Sequence, residues 1–237
     1  CLAGLEKNFE GAITINNLSL EEYLRTHRIA IISQHYSHFP WMTVFQNIAI
    51  AFHDQGHSVA QIERSVTALL QRFQLDPFRN YYPHQLSGGM QQRVAIARAI
   101  AQDSECILFD EPFGALDAHT RSQMQEFVAH LLQEERRTIV MVTHDVDEAL
   151  YLSDRVVVMG IHPGVIREII SVPLPRPRNP EVRFEKQFIQ LKKSIHYMIR
   201  SESITASLTH SSPMRPGNPL TLGLYIWSGN APWYFAK

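Results

Sequence analysis

Leu86-Ser87-Gly88-Gly89-Met90-Gln91-Gln92-Arg93 is the stretch on which the reading of this chain turns. It opens a helical pattern in which Met90, Val94, Ala97 and Ala101 share one face. Seventeen positions past Arg93, Asp110-Glu111 closes the apolar run Cys106–Phe109. His144 follows a second apolar run, Ile139–Val142. Each polar site therefore falls at the mouth of a strand or a helix, where ligands of α/β proteins gather. Their order and spacing point to nucleotide hydrolysis.

Working outward, the pattern is that of an α/β protein. Residues 12–16 alternate with period two and Arg28–Ser33 is a short apolar run; both predict strands. Gln34 lies just past the second, and Pro40-Trp41 marks a loop. Ser58 and Gln61 form a capping box for a helix carrying Val59, Ile62, Val66, Leu69, Leu70 and Phe73 at helical spacing until Pro77. Met124, Phe127, Val128, Leu131 and Leu132 predict an amphipathic helix between the apolar runs ending at Phe109 and Val142. Strand, helix, strand in that order implies parallel pairing with both faces covered. A strand over Val156–Met159 and a Pro163-Gly164 turn follow. Pro173–Pro180 reads as extended linker or edge, and Phe184, Phe188, Leu191, Ile195 and Met198 mark a last helix.

Composition narrows the class. With 22 basic against 23 acidic residues, nothing electrostatic favours a nucleic-acid partner. The cysteines, Cys1 and Cys106, form no C-x-x-C pair, which fits a reducing compartment. No apolar run reaches the roughly 18–20 residues needed to span a bilayer, so work at a membrane means docking on another protein. The histidines are scattered without metal-ligand spacing, which argues against zinc.

Leu86-Ser87-Gly88-Gly89 resembles the signature motif of ATP-binding-cassette (ABC) ATPases. Together with Gln34, Asp110-Glu111, Asp117 and His144, the resemblance covers Cys1 to about Arg200. It implies a P-loop NTPase (RecA-like) parallel sheet core over residues 1–200, with a helical subdomain at about 44–102. It also implies ATP and Mg²⁺ as cofactors. Ser87, Gly88 and Gly89, with Gln91 and Gln92 completing the helix, would grip the γ-phosphate held by a second subunit. Asp110 resembles the Walker B aspartate facing Mg²⁺ and Glu111 the base that polarises the attacking water. Gln34 resembles the glutamine that reaches Mg²⁺ and couples the site to a membrane partner docked near Gln34 to Phe45. His144 matches the switch histidine on the γ-phosphate. Asp117, in Gly114-Ala115-Leu116-Asp117, resembles the loop that touches the partner subunit.

Bland readings stand beside each of these. An Asp-Glu pair by itself is commonly a solvated turn cap, and Ser-Gly-Gly by itself is a glycine loop with a serine N-cap. A lone Gln past a strand is usually surface, a lone His usually structural. Asp117 also suits the N-cap of the next helix, and both roles are compatible.

Met90, where many ABC proteins have Gln, and the segments Pro163-Gly164-x-Ile166 and Leu174–Arg178 resemble importer ATPases for nitrate, bicarbonate, sulfonates and taurine. That implies a homodimer or paired nucleotide-binding subunit, transmembrane permease subunits, and a periplasmic solute-binding protein contacted indirectly. The location would be peripheral, on the cytoplasmic face of the cell membrane. The rival readings are a soluble ABC ATPase of DNA repair or translation, and a non-catalytic regulatory fragment.

The G-x-x-x-x-G-K-[ST] phosphate loop does not occur in residues 1–237. By the resemblance, Cys1–Lys7 looks like the end of the helix after that loop, whose Lys is expected roughly six residues upstream of Cys1. The expectation is therefore a piece cut at both ends and inactive alone. Residues 201–218 read as a flexible connector. Residues 219–237 resemble the start of a solute-binding-like domain continuing past Lys237, with proteolysis expected between Ser201 and Asn218.

Overall fold

The computed structural model describes residues 1–34, 37–53, 55–134, 137–160 and 165–209, with side chains as far as Arg200. Two compact units result, residues 1–121 and residues 122 onward, divided in the first turn of a helix.

The first unit opens with a hairpin, β1 (Thr14–Ile15) against β2 (Leu18–Ser19). Its turn residues Asn16 and Asn17 have φ of 51° and 64°. Two left-handed residues give the loop whose twist matches the flanking strands, so the strand expected over 12–16 is short. Ser19 then caps α1 (Leu20–Thr26) through a capping box with Glu22. No helix is predicted there from periodicity; the Ser19-x-x-Glu22 spacing is the signal that marks it. Leu20 and Tyr23 pack on Ile15 in a small buried cluster.

Strand β3 (Ile29–Ile32) runs parallel to β4 (Cys106–Asp110), with Ile29 opposite Cys106 and Ile32 opposite Phe109. Parallel strands need a long crossover. Here it contains α2 (Val44–Ala49), α3 (Val59–Arg72) and α4 (Gly88–Ala101), the helices expected over about 44–102. Each starts on a hydroxyl cap, at Thr43, Ser58 and Ser87. Two expectations change. Val59 is 85% exposed, because the first turn of α3 projects past the core, and the helix ends at Phe73, ahead of Pro77, with Gln74 left-handed. Helix α4 buries Ala95, Ile96 and Ala99 as well as Val94, Ala97 and Ala101. Its small alanines let α2 and β3 both close on it.

The second unit runs α5 (Ala118–Glu134), β5 (Thr138–Val142), α6 (Val146–Leu152), β6 (Arg155–Met159), β7 (Ile166–Ser171) and α7 (Lys186–Thr209). Met124, Val128, Leu131 and Leu132 are buried on α5 as expected, with Phe127 only partly so. Strands β6 and β7 pair antiparallel. The largely exposed β7 has no clean alternation, so periodicity does not predict it. The proline-rich segment 173–180 is no loose linker. Arg178, 4% exposed, donates from its guanidinium to the carbonyls of Leu150, Tyr151, Ser153, Val172 and Leu174.

On α7, Phe188 and Ile195 are buried, whereas Phe184 is 81% exposed in the 3₁₀ turn Pro180–Phe184 before the helix. The helix continues to Thr209, through the first part of the stretch expected as a connector. Nothing in Ser201–Thr209 breaks a helix; the first breaker is Pro213. The Pro163-Gly164 turn, residues 210–218 and the solute-binding-like start at 219–237 lie outside the described residues.

Candidate active site

In the first unit the parallel register decides what meets. Ile32 pairs with Phe109, so Gln34 and Glu111 each lie two residues past paired positions, beyond the carboxyl ends of β3 and β4. They converge on Gly114. A Cβ built there would lie 3.6 Å from the Gln34 Nε2 and 3.7 Å from the Glu111 Oε2. The absent side chain leaves room between an amide and a carboxylate.

Glu111 is aimed by its backbone. Its φ is 44°, a left-handed conformation costing a non-glycine residue about 1–2 kcal/mol. Such strain persists where the surroundings over-determine it, and it clusters at functional sites. Here Pro112 and Phe113 are buried, and the Gly114 N–H donates to the Glu111 carbonyl at 3.2 Å. Asp110 is exposed at the end of β4. Asp110 ends β4 as an extended residue and Glu111 follows with a left-handed backbone, so the change of conformation between them lets the two carboxylates serve different partners.

The loop after Gln34 is tied down. Asn47, fully buried, accepts from the Phe39 N–H at 2.9 Å and donates to the Phe39, Met42 and Thr43 carbonyls. Arg98 on α4 donates to the Ser37 carbonyl at 3.0 Å and lies over the Phe39 ring. Burial, and next the Arg98 charge, push His38 down to about 4.

Ser87 caps α4, its Oγ accepting from the Met90 N–H at 3.4 Å. Ser87 and Gly88 are exposed and Gly89 is buried. A Cβ at Gly88 would meet Leu116 Cδ2 at 3.1 Å, so the signature loop and the loop after β4 already touch. Gln91 faces the other way: its Nε2 donates to the carbonyls of Pro83 and Leu86, at 2.9 and 3.3 Å. It braces the approach to α4. Gln92 is buried, with neither amide atom hydrogen-bonded among the described residues. Asp117 Oδ1 accepts from the His119 and Thr120 N–H groups at 3.1 and 3.0 Å, so it caps α5. Hydrogen bonds from Thr120 hold its carboxyl below the usual range.

His144 belongs to the second unit, exposed between buried Thr143 and Asp145, the N-cap of α6. Behind it runs a network that periodicity does not reveal. Thr143 Oγ1 donates to Glu148 Oε2 at 2.7 Å and accepts from the Asp145 N–H at 3.0 Å. Gln125 Nε2 donates to Glu148 Oε1 at 3.0 Å, and Arg183 donates to Gln125 Oε1 at 2.6 Å. Glu148, 4% exposed, anchors the backbone on both sides of His144. A buried carboxylate needs such partners; the clue in sequence is an acid in the first turn after an Asp cap.

Parallel strands with polar residues beyond their carboxyl ends, the crossover between them carrying a glycine-opened helix, are the architecture of a nucleotide-binding α/β protein. Known proteins agree. Residues 1–114 match the model of the ABC transporter family. The aliphatic sulfonates import ATP-binding protein SsuB of Bacillus cereus is 40% identical over 194 residues, 82% of this chain and 74% of that protein. An uncharacterized ABC transporter ATP-binding protein of Methanocaldococcus jannaschii is 39% identical over 201 residues, 85% of this chain and 73% of its own. Among solved structures, the ATP-binding cassette MJ0796, as a post-hydrolysis dimer bound to ADP and Pi, is 29% identical with a TM-score of 0.59. The match covers 72% of this chain and 77% of that one.

The chain belongs to the ABC transporter family. It is an ATP-binding subunit with the P-loop NTPase fold, and the activity of such subunits is ATP hydrolysis.

Proposed function

We propose that this ATPase energises a bacterial importer, with aliphatic sulfonates as the first solute class to test. Nitrate, taurine and bicarbonate-like solutes are the alternatives. The solute reading is supported by the sulfonate importers among the relatives. The site reading is carried by the convergence of Gln34 and the strained Glu111 on Gly114.

In this reading Glu111 is the general base and Asp110 faces the metal through water. The Gln34 amide oxygen reaches the same ion, and His144 orients the water at the γ-phosphate. Ser87, Gly88 and Gly89 hold the phosphate of a nucleotide bound to a second subunit, as a helix N-terminus can. Gln91, committed to backbone carbonyls, shapes that loop instead of touching the phosphate. Asp117 presents its loop to the partner subunit while capping α5.

The donor set fits Mg²⁺. All its members are hard oxygens, and no cluster of three or more His, Cys, Asp or Glu among the described residues could hold a metal ion by itself. Mg²⁺ usually takes one or two carboxylates and completes its shell with water and phosphate. When bound it would neutralise charge on the phosphates.

The subunits would pair head to tail; the MJ0796 relative is described as a dimer. No helix among the described residues is long and apolar enough to cross a membrane. By the likeness to importer ATP-binding proteins, the chain would lie peripherally, at the cytoplasmic face of the membrane. It docks on transmembrane permease subunits near Gln34 to Phe45, and a periplasmic solute-binding protein acts through them. Residues 1–200 form the cassette, 201–218 lead out of it, and 219–237 open a solute-binding-like domain.

The test is Glu111→Gln in a cassette that also carries the phosphate loop. Losing a general base removes about 10²–10⁴-fold of rate, while ATP-dependent dimers persist because the amide relieves repulsion against the γ-phosphate. Near-normal turnover would assign the base elsewhere. In cells, the same change should abolish growth on an alkanesulfonate as sole sulfur source. Unimpaired growth would remove sulfonates from the reading and leave the ATPase assignment standing.

A further inference from the structure

Helix α7 carries two stripes. Phe188 and Ile195 are buried. Beside them Ile189, Lys192, Lys193, His196, Tyr197 and Arg200 recur at i, i+3, i+4, i+7, i+8 and i+11, a second continuous face. With Arg183 and Phe184 from the preceding 3₁₀ turn they line a groove of about 610 Å³. Its aromatics are open to solvent: Phe184 is 81% and Tyr197 77% exposed.

The charges in the groove are unequal. Lys192 Nζ is taken up by Asp147 Oδ2 at 2.6 Å, which ties the groove to the first turn of α6. Arg183 lies 4.3 Å over the Tyr151 ring and bonds Gln125. Lys193 and Arg200 meet no carboxylate among the described residues. Two cations with no carboxylate partner among the described side chains thus flank apolar surface within one concavity. Its volume falls in the range of small-molecule sites, about 300–1,000 Å³. Catalysis as described above uses none of these residues.

We infer that this groove binds a small amphiphilic organic anion, the anionic head on Lys193, His196 and Arg200 and the apolar body on Ile189, Tyr197 and Phe184. A bare inorganic ion would leave the aromatic wall wet, and a neutral apolar molecule would leave the cations without a partner. The chain's own residues 210–237 contain no Asp or Glu, so their charge does not complement the groove. The inference rests on the groove alone and is independent of the transported solute.

Calorimetric titration of the 237-residue chain with hexanesulfonate tests it, with sodium sulfate, hexanol and phosphatidylglycerol vesicles as separate arms. Saturable one-to-one binding is expected, at least about tenfold tighter than sulfate, the worth of roughly two buried methylenes. Lys193→Glu with Arg200→Glu should weaken it by about tenfold or more, and Tyr197→Ala should weaken hexanesulfonate but not sulfate. All three side chains are exposed, and circular dichroism checks that the variants stay folded. Hexanol or sulfate binding as tightly as hexanesulfonate overturns the inference. So does unchanged affinity in the double variant, or binding to vesicles with none to free hexanesulfonate, which would make the stripe a membrane-facing surface.

Discussion

Glu111 holds its carboxylate toward Gly114 only by accepting a φ of 44°. Glu111→Gly would release about 1–2 kcal/mol of left-handed strain against about 0.5–1 kcal/mol of extra backbone entropy. Stability by urea titration should hold or rise by about 0.5–1 kcal/mol while the site loses its base. A clear loss of stability would show that the conformation is not strained. His38 makes a second prediction, on the loop beyond Gln34. Burial and Arg98 lower it to about 4, below the ordinary value of about 6.5 in the unfolded chain. Between those values the unfolded state binds the extra proton. The stabilisation is therefore complete above about pH 6.5 and is lost as pH falls toward 4. His38→Gln should flatten denaturation midpoints across that window relative to the parent chain; an equal slope in both would exclude His38 as the source.

At the scale of elements, hydroxyl and carboxylate caps set where the site-bearing helices begin. Ser87, Asp117 and Asp145 each accept backbone N–H groups at a helix start; the caps at Ser87 and Asp117 are legible in the sequence, and the one at Asp145 comes from the structure. Gln91 and Arg178 read less well. Amphipathic spacing tells which face a residue occupies, not which carbonyl its side chain will reach. Arg178, inside a proline-rich run, looks like linker until the carbonyls at the end of α6 and after β7 are seen to converge on it. Burial and Arg176 lower its pKa to about 10, so the guanidinium stays charged at neutral pH. Arg178→Lys keeps the charge but cannot span those acceptors. It should cost about 2–4 kcal/mol of unfolding free energy, measurable by urea titration. A loss under about 0.5 kcal/mol, the size of an ordinary surface change, would show the carbonyls to be satisfied otherwise.

At the scale of the whole molecule, residues 1–237 contain no phosphate loop, and an anion at an exposed helix N-terminus gains only about 0.3–1 kcal/mol. This polypeptide by itself is expected to show no ATP turnover above a Glu111→Gln control; measurable turnover would mean that other groups cradle the phosphates. The sequence determined a good deal unaided: the strand–helix–strand order, the parallel core, and the ABC resemblance through Leu86–Gly89, Asp110-Glu111 and His144. These are local signals, since apolar period, caps and motif spacing are written along the chain. The tertiary structure alone decided the rest. The meeting of Gln34 with Glu111 at Gly114 and the Glu148–Gln125–Arg183 network behind His144 depend on side chains far apart in sequence. Register and packing bring those together, and no periodicity of a single segment encodes them.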